Sequence, residues 1–75
     1  MSLPKVVKRF EVDCYEAQGV IILDVFPKPN GTSHDVARSS CLASLFNNMS
    51  ECEKADWIAA NTKSNILKLW EAVNV

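Results

Sequence analysis

The first half of the chain carries two segments whose apolar positions follow the period of a β-strand. In residues 6–15, one set of alternate residues is mostly apolar and the other is mostly charged, which is typical of a strand with one buried face. Residues 20–26 (VIILDVF) are apolar on both sets of alternate positions, and only Asp24 interrupts them. Both segments are rich in residues that favour strands. We therefore predict an antiparallel β-hairpin with a four-residue loop, Glu16–Gly19.

That loop length predicts a register in which Tyr15 and Val20 form the closing pair. The side chains on one face of the hairpin are then continuously apolar: Phe10, Val12, Cys14, Ile21, Leu23 and Val25. On the reverse face, the register places Glu11 directly opposite Asp24. Like charges across a strand pair are unfavourable, so this arrangement calls for a compensating group.

The second half of the chain has the three- and four-residue spacing of helices. Apolar residues between Val36 and Met49 recur at this spacing, and they predict a first helix over residues 33–47. Ser50 and Glu53 form a capping box that begins a second helix, predicted over residues 51–73. Its predicted core stripe has eight members: Ala55, Ile58, Ala59, Thr62, Ile66, Leu69, Trp70 and Val73. Residues 61–64 are weak helix formers, but we predict that this helix is continuous.

The order of elements is therefore ββαα. We predict a two-layer α+β fold in a single small domain, residues 1–75, with the hairpin (about 6–15 and 20–26) packed on two C-terminal helices (about 33–47 and 51–73).

The overall charge and composition limit the classes of partner. A net charge of −1 gives no excess of cations for phosphate, which speaks against nucleic acid as a main partner. The apolar runs are shorter than the ~20 residues that a membrane span needs, so we expect no membrane partner. The N-terminal residues lack the pattern of a signal peptide, and the three cysteines cannot all pair within one chain. We therefore expect a cytoplasmic protein with reduced, buried thiols.

The sequence gives only weak evidence for a metal site or a catalytic site. The thiols Cys14, Cys41 and Cys52 and the imidazole of His34 are ligand types for zinc, but none of them forms the closely spaced pair that opens a zinc site. His34 stands among helix-capping residues rather than beside a nucleophile. We therefore predict no catalytic residue, no cofactor and no metal ligand.

Two other functions remain as alternatives. A turn at residues 61–64 would make the C-terminal region a helix–turn–helix. A DNA-binding regulator of this kind would require the basic residues to converge on one surface: Lys5, Lys8, Arg9, Lys63 and Lys68. Carboxylates of Glu11, Asp13 and Asp24 on one face of the hairpin would suit Mg²⁺ and a phosphoryl-transfer or nuclease reaction.

The main hypothesis follows from the doubly apolar second strand. With helices on one face of the hairpin, apolar side chains on the reverse face remain in water, and each forgoes about 1.5–3 kcal/mol of burial. We therefore expect a small regulatory module of the size found among bacterial and phage accessory proteins, which acts through protein contact as a homodimer and binds another protein as well. The candidate interface residues are Tyr15, Val20, Ile22, Phe26 and the off-stripe Trp57.

Overall fold

The computed structural model describes residues 9–28 and 36–73. They form three strands and two helices: β1 (Arg9–Ala17), β2 (Val20–Lys28), β3 (Ala37–Leu42), α1 (Ala43–Asn47) and α2 (Glu51–Val73). The strands make one antiparallel sheet in the order β1-β2-β3, and α2 packs on it. The predicted two-layer α+β fold and the N-terminal hairpin are confirmed. Residues 6–8 and 33–35 of the predicted elements lie outside the described ranges.

The hairpin turns more tightly than predicted. Its loop has only two residues, Gln18 and Gly19, and both have positive φ angles, +52° and +78°. Two-residue loops with this geometry match the twist of antiparallel strands, and Gly19 adopts it without strain. The closing pair is Ala17 with Val20, so the predicted pairing of Tyr15 with Val20 is wrong. The shift is two residues, so each side chain keeps its predicted face.

The largest error concerns the predicted helix over residues 33–47. Residues 37–42 form β3, which pairs with the free edge of β2. In the part of the predicted helix that the structure describes, residues 36–47, only the five residues of α1 are helical. Ser39 and Ser40 are weak helix formers, and strand pairing satisfies the backbone groups of β2 on that side. β3 pairs with β2 only as far as Val25, which leaves Pro27 beyond this ladder, where a missing N–H is tolerated.

The core lies between β2 and the C-terminal half of α2. Leu23, Val25 and Leu69 form its buried centre. Half-buried apolar side chains pack around them: Phe10, Ala37, Trp57, Ile58 and Ile66. The predicted apolar face of the hairpin is therefore the face that meets the helical layer.

Helix α2 runs unbroken from Glu51 to Val73, as predicted. It begins with the predicted capping box: the Ser50 amide donates to Glu53 Oε1 at 2.9 Å, and the Glu53 amide donates to Ser50 Oγ at 3.2 Å. These two bonds satisfy backbone donors that the first helical turn would otherwise leave free.

The buried stripe of α2 is rotated relative to the prediction. Asn65 is fully buried, whereas Ala55 and Ala59 are exposed and Trp70 is 48% exposed. The helix crosses β2 and β3 rather than the centre of the hairpin, so a different strip of its surface faces the sheet. The side that carries Trp70 lies toward β1, because the Trp70 ring meets the Phe10 ring edge-on at 6.4 Å.

Helix α2 therefore covers the sheet unevenly and leaves part of β1 exposed. Val12 of β1 points to the helical side but is 42% exposed, and Cys14 beside it is exposed as well. The expectation of buried thiols is therefore wrong for Cys14 and for the exposed Cys52, and Cys41 is only half-buried. All three are free thiols.

Candidate functional site: the outer face of the sheet

The face of the sheet that points away from α2 is here called the outer face. Its members alternate with the core-facing residues along all three strands: Arg9, Glu11, Asp13, Tyr15, Ala17, Val20, Ile22, Asp24, Phe26, Lys28, Arg38, Ser40 and Leu42. The helices of the described chain pack on the opposite side. The outer face is therefore the broadest surface of the sheet that those helices leave open.

A hydrogen-bonded triad of Tyr15, Asp24 and Arg38 occupies its centre. Arg38 Nε donates to Asp24 Oδ1 at 2.6 Å, and Arg38 Nη2 donates to Oδ2 at 3.1 Å. The Tyr15 hydroxyl donates to the same Oδ2 at 2.9 Å. Because each residue comes from a different strand, the triad ties β1, β2 and β3 together at one point.

The triad fixes the protonation states of its members. The hydrogen bond from Arg38 lowers the pKa of Asp24, and the Tyr15 hydroxyl adds to this effect against the opposing influence of burial. The hydrogen bond to Asp24 raises the pKa of Tyr15. The same carboxylate raises the pKa of Arg38 through its hydrogen bond. At neutral pH the triad is thus a carboxylate held by a guanidinium and a neutral phenol.

A second group of charges lies toward the open end of the hairpin. Glu11 accepts contacts from Arg9 at 3.5 Å and from Lys28 at 3.8 Å, and the Lys28 ammonium lies 5.1 Å from the centre of the Phe26 ring. With Asp13, Asp24 and Arg38, the outer face carries three cationic and three anionic side chains. It therefore has no net charge.

The like-charge pair on this face is not the predicted one. Asp13, not Glu11, lies directly opposite Asp24. Arg38 compensates Asp24, and its contribution was hidden from sequence reasoning because residues 37–42 were expected to be helical. Asp13 makes no ion pair with the residues that the structure describes.

The structure brings four of the five candidate interface residues onto the outer face and separates the fifth. Tyr15 is 37% exposed, and Val20, Ile22 and Phe26 are half-buried. Trp57 lies on the helical side, where its half-buried ring meets the Phe46 ring edge-on at 5.6 Å.

Sequence reasoning missed the β3 members of this surface, Arg38, Ser40 and Leu42. Leu42 is 56% exposed beside Val20, its cross-strand partner. Alternation in ARSSCL was the available signal, but it competes with the helical spacing of the same apolar residues.

Neither alternative chemistry gains support from the geometry. Within residues 9–28 and 36–73, no three carboxylate, thiol or imidazole groups lie together as a metal site would require. Arg38 and Tyr15 engage Asp24, and Arg9 and Lys28 engage Glu11. His34 falls outside the described residues.

The helix–turn–helix alternative requires a turn at residues 61–64, and α2 passes through them as a continuous helix. No helix among the described residues is long and apolar enough to cross a membrane. Comparison with protein-family models, curated proteins and solved structures gives no match for the chain.

Proposed function

We propose that this protein is a non-catalytic cytoplasmic interaction module that acts as a homodimer through the outer face of its sheet. The observation that carries the proposal is the combination on that face of apolar side chains with a pre-paired charge network. Tyr15, Arg38 and Phe26 supply the tyrosine, arginine and aromatic side chains in which interface centres are enriched.

The pre-paired charges lower the cost of burying this face. An isolated charge is expensive to remove from water, whereas a charge that already has its hydrogen-bond partners loses less. Asp24 is only 8% exposed, so most of its desolvation takes place when the chain folds. Within the triad, docking against a partner then desolvates mainly the exposed parts of Arg38 and Tyr15. Asp13, which has no ion-pair partner among the described residues, brings an uncompensated charge to the interface.

The electrostatic balance favours a second copy of the same chain. A two-fold axis brings the same surface of both copies together, so a strongly charged face would repel itself. The outer face has equal numbers of cationic and anionic side chains. Asp13 on β1 and Arg38 on β3 flank Asp24 on opposite sides, so a two-fold axis parallel to β2 can oppose Asp13 of one copy and Arg38 of the other.

The size of the face is adequate for a modest interface. Three strands spaced about 4.8 Å apart, with a length of about 30 Å, cover roughly 400 Å² in projection. Two copies bury roughly 800 Å² in projection, and the accessible area of the side chains is larger. The total approaches the lower end of the about 1,200–2,000 Å² that specific interfaces bury.

Sedimentation equilibrium of the wild-type chain and of Ile22→Lys tests the proposal. We expect a dimer for the wild type at tens of micromolar and a monomer for Ile22→Lys, because a lysine at the centre of the face would be buried without a partner. Leu67→Lys is the matched control: Leu67 is 49% exposed on α2, away from the outer face, so its dimer should persist.

Ile22 is half-buried, so a folding defect must be separated from a binding defect. Leu42→Lys provides the second variant, since Leu42 is 56% exposed and little of its side chain is packed. Circular dichroism melts of both variants report on folding. A wild type that sediments as a monomer, or folded variants that dimerise as tightly as the wild type, would refute the proposal.

A further inference from the structure

Strand β1 is an edge of the sheet in the described chain, and it is long. Its nine residues pair with β2 on one side, and the sheet order places no described strand on the other. An edge strand presents a row of free N–H and C=O groups to which another extended segment can add.

The core-facing side of this edge is apolar from Phe10 to Cys14 and is partly exposed. Val12 is 42% exposed and Cys14 is exposed, because α2 lies over β2 and β3. Trp70, 48% exposed, stands beside Phe10 at the end of this strip. Apolar side chains on an added strand would find apolar neighbours here.

The outer side of the same edge carries two acids, Glu11 and Asp13, of which Glu11 is already paired with Arg9 and Lys28. Asp13 faces Asp24 across the β1–β2 ladder and has no cationic partner among the described residues. Asp24 obtains its cation from Arg38 on the strand that flanks it. A strand added beyond β1 could supply Asp13 with a cation in the equivalent way.

We propose that β1 binds an extended segment of another protein in which a lysine or arginine alternates with apolar residues. The added strand runs antiparallel to β1, its basic side chains lie opposite Asp13 and Glu11, and its apolar side chains lie opposite Val12 and Cys14. Asp13 and Glu11 also belong to the outer face, whereas Val12, Cys14 and the backbone edge of β1 lie outside it. Ile22→Lys therefore separates this contact from the homodimer.

A second copy of β1 fits this edge poorly. In symmetric antiparallel pairing of β1, only the register centred on Glu11 places a cation of this strand, Arg9, opposite Asp13, and that register places Glu11 opposite its own copy. Like charges directly opposite one another destabilise strand pairing. The charge pattern therefore favours a basic partner of different sequence.

The probe is an acetylated and amidated peptide, TVKVKVT, whose lysines align with Asp13 and Glu11 when its central valine lies opposite Val12. Two peptides serve as controls: TVVKKVT has the same composition without alternation, and TVEVEVT has the opposite charge. Binding to the full chain is measured by amide chemical shifts in NMR titrations. We expect the shifts to concentrate in β1 and the affinity for TVKVKVT to exceed that for TVVKKVT about tenfold, because only alternation matches both sides of the edge.

A charge swap isolates the contact at Asp13. Asp13→Lys should weaken binding of TVKVKVT about fivefold and strengthen binding of TVEVEVT over that of the wild type, since opposite and like cross-strand pairs differ in sign. Asp56→Lys makes the same change in net charge on an exposed position of α2 and should have little effect. Ile22→Lys should still bind the peptide, even where it abolishes the homodimer.

Three outcomes would overturn the proposal. The first is no shift in β1 at millimolar peptide, and the second is equal binding of TVKVKVT and TVVKKVT. The third is self-association that persists in Ile22→Lys and that TVKVKVT abolishes in competition, which would show that a second copy occupies the edge.

Discussion

Asn65 is a buried polar residue whose replacement should make the protein more stable. Its side chain has no exposed surface where α2 packs on β3. Nδ2 donates to Ser39 Oγ at 3.0 Å, but Oδ1 has no hydrogen-bond partner among the described residues. Because an unsatisfied buried carbonyl loses its hydration without replacement, Asn65→Leu should raise the free energy of unfolding.

The magnitude follows from four contributions. Removing the unsatisfied carbonyl gains about 1–3 kcal/mol, and losing the bond to Ser39 costs about 0.5–1.5 kcal/mol. Burying a leucine side chain gains about 1.5–3 kcal/mol, whereas fitting its extra volume into a packed site costs about 1–3 kcal/mol. The central values leave a net gain of about 1 kcal/mol, which raises Tm by roughly 4–8 °C for a domain of this size.

Urea unfolding followed by circular dichroism at 222 nm, together with thermal melts, measures this change. Asn65→Ala is the matched control: it removes the same carbonyl but leaves space in the core, so it should be less stable than Asn65→Leu. Ser39→Ala in the leucine background should be close to neutral, because the hydroxyl has by then lost its partner. An Asn65→Leu protein that is less stable than the wild type by 1 kcal/mol or more would refute the reasoning.

Three further predictions concern the triad, the helix cap and the turn. The pKa of Asp24 is lowered in the folded state, so this carboxylate stabilises the fold above the unfolded-state pKa of about 3.9, and the stabilisation is lost as pH falls through the lower folded value. Urea unfolding of the wild type at a series of pH values should show this loss. In Arg38→Gln the loss of stability with falling pH should be smaller. Ser50→Ala should lower the free energy of unfolding by about 1 kcal/mol through loss of the cap, and a melt unchanged by the substitution would contradict this. Gln18→Asn should raise the free energy of unfolding by about 0.5–1 kcal/mol, because asparagine tolerates a positive φ better than glutamine. A variant that is less stable than the wild type in denaturant unfolding would argue against this turn geometry.

The sequence predicted the layers of the fold better than it predicted the pairing within them. Alternation along β1 and β2 identified which residues face the helical layer. This assignment remained correct despite the wrong loop length, because the register shifted by two residues. A shift of one would have exchanged the faces. The capping box at Ser50 and the continuity of α2 were predictable because both depend on local interactions.

Strand β3 could not be identified in the same way, because its formation depends on a distant part of the chain. The segment ARSSCL fits a strand and a helix about equally, and the free edge of β2 decides between them. The error then propagated to the candidate site. With residues 37–42 assigned to a helix, Arg38 could not be recognised as the partner of Asp24, and the carboxylates of the reverse face remained a candidate for metal binding.

The third strand also explains why β2 is apolar on both of its faces. A central strand has neighbours on both sides, so Val20 and Ile22 are flanked by Leu42 and Ser40 of β3 as well as by Ala17 and Tyr15 of β1. These neighbours bring Val20, Ile22 and Phe26 to half-burial without any helix above them. The apolar side chains of β2 are therefore partly buried within the chain, and only their remaining exposed part is available for the proposed association. For this reason the homodimer should be of modest affinity, with a dissociation constant that sedimentation can measure, rather than an obligate dimer whose subunits fold only together.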